Sequence, residues 1–155
     1  HKEYRRQRQM CIRDRWAEQF IVPDYRPEEV GTDAAVAQPA TGTKFGVVVR
    51  HNDHSLSADR TKKNGGKGKG FTAEGLIMSA LATAATQAVK DAGKRLALDD
   101  VHVSITQTGP ASFERRIELA GKLSAEEESA LRSAAKGTDV ERMLGNVTIV
   151  DVDAL

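Results

Sequence analysis

Four histidines, one cysteine and scattered carboxylates are the side chains of this 155-residue sequence best suited to do chemistry. Cys11 is the only thiol, so no two cysteines of one chain can cycle between dithiol and disulfide. His51 and His54, with Asp53 and Asp59, could form a metal cluster or simply a polar hairpin turn; their spacing matches no established zinc pattern, and no metal site is assigned. His102 falls on the polar side of an alternating segment, where a surface histidine is the plain reading. The run Lys62-Lys63-Asn64-Gly65-Gly66-Lys67-Gly68-Lys69-Gly70 precedes a helix start. Its backbone N–H groups, with Lys67 and Lys69, are a candidate anion site, but the run fits neither nucleotide-binding glycine pattern and a solvated mobile loop is the favoured reading. Glu74 could act as a general base or anchor a pocket; as an acid in a first helical turn it also stabilises the helix dipole. Arg115 and Glu141 are the candidate pocket residues, Arg115 because it shares a strand face with Phe113 and Ile117. An arginine so placed more often sits at a sheet edge or pairs with a carboxylate. No Ser/His/Asp arrangement can be defended from spacing.

The elements that must position these residues follow from periodicity. Phe45, Val47 and Val49 alternate with Gly46, Val48 and Arg50, the two-residue period of a strand, within a region of short strands over 33–59. Pro39 to Gly42 and Asn52-Asp53 read as turns. Thr72 can cap a helix that Gly93 ends. From Leu76 to Ala85 that helix is apolar nearly all round, so burial on every side is expected. Residues 99–109 and 112–121 read as two strands joined at Gly109-Pro110. Ser124-Ala125-Glu126-Glu127 is a capping box for a helix stopping at Gly137, and Thr138-Asp139-Val140-Glu141 a second one for a short helix to Leu144. Val147 to Val152 reads as a final strand. Hairpins mixed with helices make this an α+β chain rather than a doubly wound parallel sheet.

Residues 1–15 read differently from the rest. They carry six basic and two acidic side chains, and Met10-Cys11-Ile12-Arg13-Asp14-Arg15 resembles the translation of a transposon end used in sequencing libraries. They are read as sequence not native to the protein, residues 16–31 as an extended lead-in and 32–155 as the folded domain. Without the first segment the chain has 17 Lys+Arg against 20 Asp+Glu, a formal −3. The basic balance of the whole chain thus comes from that segment, and a nucleic-acid partner loses its electrostatic support. Residues 16–155 contain no cysteine. No apolar run reaches the roughly 20 residues of a membrane helix and no secretory leader is visible, so a cytoplasmic protein without a membrane partner is expected.

GFTAEGLIMSALATAATQAV resembles the central helix of OsmC/Ohr-type proteins, where a Glu-Leu pair opens an Ala-rich helix carrying a cysteine. VHVSITQTGPASFERRIELAGKLSAEEESALRSAA resembles the strand pair and helix that follow, and TDVERML the segment where the family has Cys-Pro-Val-His-Arg and a Leu. The resemblance covers about residues 30–155. It implies an OsmC-like fold: antiparallel sheets packed around a long buried central helix, in an intertwined homodimer with small-molecule sites at the subunit interface and no cofactor. Active members of the family reduce organic hydroperoxides with two cysteines, one attacking the peroxide and one resolving the sulfenic acid. The matching positions here are Ala84 and Thr138, with Asp139 and Glu141 in place of the Pro and His, while Glu74 matches the family's acid before the helix. The resemblance therefore implies a non-catalytic binding or regulatory relative. The alternatives are an oxidative-stress peroxidase, as the family would suggest, and an enzyme using non-thiol chemistry at Glu74.

Overall fold

The computed structural model describes residues 33–152, which divide along the chain into two compact units between Leu76 and Ile77. The expectations for residues 1–15 and 16–31, Cys11 included, lie outside the described residues.

The N-terminal unit is built on three antiparallel strands in the order β1 (Ala35–Pro39), β2 (Val47–His51) and β3 (His54–Ala58). Val47, Val48 and Val49 are β-branched and suit the central strand, where each is flanked on both sides. Pro39, which cannot donate to a ladder, ends an edge strand. The two expected turns are present. Ala40 donates to the Gly46 carbonyl at 2.9 Å across the first, and Asn52 takes a positive φ of 52° in the second, pairing His51 with His54. Val48 and Ala40 form the small buried core of this sheet.

Residues 59–71 fold back on the end of β3 instead of standing off as a solvated loop. Asp59 donates its N–H to Phe71 at 2.8 Å, and Phe71 donates to Ser57 at 3.0 Å, so both ends of the loop are pinned together. Between them lies a short 3-10 turn, Lys62–Asn64.

Helix α1 (Ala73–Ala92) starts as expected: the Thr72 hydroxyl accepts from the Gly75 N–H at 2.9 Å. Its buried residues are Leu81, Ala85 and Val89, one stripe at four-residue spacing. Burial on every side is not what the chain forms, since Ile77 keeps 41% of its surface exposed. Among the described residues, full burial is confined to that one stripe of the helix.

In the C-terminal unit, β4 (Leu98–Gly109) and β5 (Ser112–Gly121) make one long antiparallel hairpin through the expected turn at Pro110. Helices α2 (Ala125–Ala134) and α3 (Asp139–Gly145) follow. Ala85 and Val89 of α1, with Leu131 and Ala135, are completely buried, and Val101, Val103, Ile117 and Leu119 of the hairpin pack against them. Alternation decides which residues take part: Val101 and Val103 turn to this core while His102 and Ser104 stay exposed.

Two expectations are corrected here. Residues 147–152 do not form a strand. Their pattern suits one, but a strand needs a ladder partner, and none pairs with them among the described residues. The second capping box is only half formed. Thr138 accepts from the Glu141 N–H at 3.4 Å, but the Glu141 carboxylate does not return to the Thr138 N–H; it turns to other partners. The first box, Ser124 with Glu127, is complete.

Candidate functional site

β5 points Phe113, Arg115 and Ile117 to one face by its two-residue period, and Ile105 lies opposite Arg115 in the ladder. Together with Leu81 of α1 they border a cleft of about 570 Å³. Arg132 in the last turn of α2, Lys136 just beyond it, and Glu141 of α3 complete the lining. A second hollow of about 400 Å³ is lined by Ser104, Thr106, Glu114, Arg115 and Arg116, with no apolar side chain among them. The first is therefore the candidate ligand site, since small-molecule sites combine an apolar lining with a few convergent polar groups.

The charged wall of the cleft is organised by Glu141. Its Oε1 accepts from the Arg115 guanidinium, and its Oε2 accepts from the Gly137 N–H at 2.9 Å. Gly137 takes a φ of 65°, a left-handed turn that a glycine adopts without strain, and so brings its N–H round to the carboxylate. Arg142 holds the same turn from outside, reaching the Gly137 carbonyl and Asp139. Arg132 donates to the Ile117 carbonyl at 2.7 Å and ties α2 to β5. The lining contains no thiol, hydroxyl or imidazole. Such an arrangement can hold and orient a ligand that carries both charge and apolar surface.

The structure thus brings together Arg115 and Glu141, the two residues marked as pocket candidates. Glu74 is exposed in the first turn of α1 and does not line the cleft. Ala84 is half-buried in mid-helix and Thr138 half-buried at the start of α3; neither lines the cleft, whereas Leu81 and Glu141, each three residues away, do. Arg132 and Lys136 were missed. Their four-residue spacing at the end of a capped helix is the signal that could have marked them as neighbours, though not the strand they face.

The Lys/Gly loop is built around an internal anion. Asp59, with 6% of its surface exposed, accepts from the N–H groups of Arg60 at 2.7 Å, Lys67 at 3.0 Å and Lys69 at 3.5 Å. Burial alone would push its carboxyl up. The hydrogen bonds from Lys67, Arg60 and Lys69, aided by the Lys67 charge, outweigh that and hold it below the ordinary carboxylate value. Gly66 makes the close approach possible, because a Cβ there would lie 2.0 Å from the Arg60 carbonyl oxygen. The Arg60 guanidinium lies 3.9 Å from the centre of the Phe45 ring. The backbone donors of Lys67 and Lys69 are thus occupied by Asp59, and their side chains remain exposed.

Asp59 is drawn into this loop, away from the hairpin tip that carries His51 and His54. His51 Nδ1 contacts the Ala34 carbonyl at 3.0 Å. Among the described residues no three His, Cys, Asp or Glu side chains gather closely enough to hold a metal ion. None of the described helices is long and apolar enough to cross a membrane.

A three-stranded antiparallel sheet, a long helix, a second antiparallel hairpin and two short helices, in that order, make this a mixed α+β protein, and its fold is OsmC-like. A protein from Psychrobacter arcticus, described as an osmotic stress induced and detoxification response protein, matches with a TM-score of 0.62 at 15% identity, over 72% of this chain and 88% of that one. An OsmC like protein from Mycoplasma pneumoniae matches with a TM-score of 0.55 at 16% identity, over 76% and 89% of the two chains. At these identities the likeness is one of fold. No protein-family model matches the sequence, and no curated protein does.

Proposed function

We propose that this chain is a relative of the OsmC/Ohr proteins that binds a small molecule and has no thiol peroxidase activity. The observation that carries the reading is the absence of cysteine from residues 16–155, which include every described residue. A hydroperoxide reductase of this family needs one thiolate to attack the peroxide and a second thiol to resolve the sulfenic acid. The matching positions hold Ala84, which has no functional group, and Thr138, whose hydroxyl caps α3. The alignment can slip by a residue without rescuing a thiol. A binding role is supported by the cleft, whose walls offer cations, one carboxylate and apolar surface but no thiol.

The same reading makes the working protein a homodimer. Ile77 of α1 and Ile149 beyond α3 are large apolar side chains exposed in the single chain. A second copy is the partner the resemblance implies for such surface.

Peroxide consumption tests the central claim. The full chain and its Cys11→Ser variant are assayed with cumene hydroperoxide and a dithiol reductant. Neither is expected to turn over; saturable, reductant-dependent consumption by either would overturn the reading.

A further inference from the structure

The cleft carries more positive charge than its one carboxylate can balance. Arg115 is answered by Glu141, but Arg132 and Lys136 bring two further cations to the same lining. Arg132 spends one N–H on the Ile117 carbonyl, a neutral acceptor. The Lys136 ammonium makes no ion pair among the described residues. Beside this charge lie Leu81, Ile105, Phe113 and Ile117. Phe113 is 37% exposed, so its ring offers surface that a ligand could still cover. The volume of about 570 Å³ falls within the range of small-molecule sites.

We propose that this cleft binds an amphipathic anion, a molecule with one carboxylate or phosphate head and an apolar tail. The head sits between Arg132 and Lys136, and the tail lies on Leu81 and Phe113. Neither half of such a ligand suffices alone. A bare anion would leave the apolar floor wet, and a neutral apolar molecule would strip water from the Lys136 and Arg132 charges without replacing it. The proposal rests on the reading of the chain as a binder rather than a thiol peroxidase.

Calorimetric titration of the full chain with octanoate, octyl phosphate, octanol and acetate tests it, at low and at high salt. At least one of the two amphipathic anions is expected to bind roughly tenfold or more tightly than octanol and acetate, and to weaken as salt rises. Comparing octanoate with octyl phosphate tells which head group the site prefers. Lys136→Gln, at an exposed position, is expected to weaken the anion several-fold and leave octanol unchanged. Phe113→Ser should weaken both. Equal affinity for octanol and the anions, no anion binding at millimolar concentration, or an indifferent Lys136→Gln would overturn the proposal. So would a Lys136→Gln variant that changes the molecular mass by light scattering without changing anion affinity, which would assign the cleft to a second copy of the chain. The peroxide assay reads independently: octanoate and octyl phosphate can fail to bind while turnover is still absent, and the two claims then part.

Discussion

Asp59 shows how much one residue can organise. Its carboxylate gathers three backbone N–H donors from a lysine- and glycine-rich run that would otherwise extend into water. Because those bonds lower its pKa below the unfolded value of about 3.9, they add stability above that pH and lose it as pH falls through the folded value. Urea unfolding followed from roughly pH 6 to pH 3 should show that loss, and Asp59→Asn should flatten it. At neutral pH the same substitution should cost about 1–3 kcal/mol, since an amide cannot accept from all the donors as a carboxylate does. A wild-type midpoint that does not move on acidification relative to Asp59→Asn would mean that the carboxylate holds nothing. Asp59 was legible as a charged residue but not as the centre of a loop. What binds it is backbone, and backbone donors have no sequence signature.

Among the elements, α2 is the best specified. Ser124 and Glu127 close both arms of a capping box, and Leu131 enters the core with none of its surface exposed. The two contributions can be separated. Ser124→Ala should cost about 1 kcal/mol, the value of a helix cap. Leu131→Ala should cost about 2–5 kcal/mol, because it also leaves a cavity between α1 and the hairpin. If denaturation midpoints put the two substitutions on a par, the core assignment of Leu131 is wrong. Element boundaries were largely readable: Thr72, Gly109-Pro110 and Ser124 fall where the structure starts or turns its elements. The exception is residues 147–152, whose run of β-branched residues suits a strand. Propensity reports which residues fit a strand; it does not supply the neighbouring strand that makes one.

For the whole molecule, that exception and the exposed Ile77 of α1 raise the same question of a partner. Ile149 and Val152 keep 82% and 85% of their surface exposed in a single chain. The proposed homodimer would give such surface a place to be buried. Light scattering on the folded protein should therefore give about twice the monomer mass; a stable monomer at micromolar concentration would count against the dimer. If the dimer forms, protection of amide hydrogens along residues 147–152 would indicate that this segment finds its ladder partner there.

Composition and local pattern were enough to settle the α+β class, the strand and helix order through α3, and the absence of a thiol from residues 16–155. Each rests on nearest neighbours: a period of two or 3.6, a cap three residues ahead of its acid, or the plain presence of an element of chemistry. Arg115 and Glu141, 26 residues apart, are a different matter. The capping pattern assigned the Glu141 carboxylate to Thr138, and the chain instead gave it to Gly137 and Arg115. Folding α2 back over β5 sets Arg132 and Lys136 beside that pair and turns four separate charges into the wall of one cleft. Separation along the chain carries no information about such meetings, because they depend on where helices pack once the apolar stripe of α1 has found the hairpin.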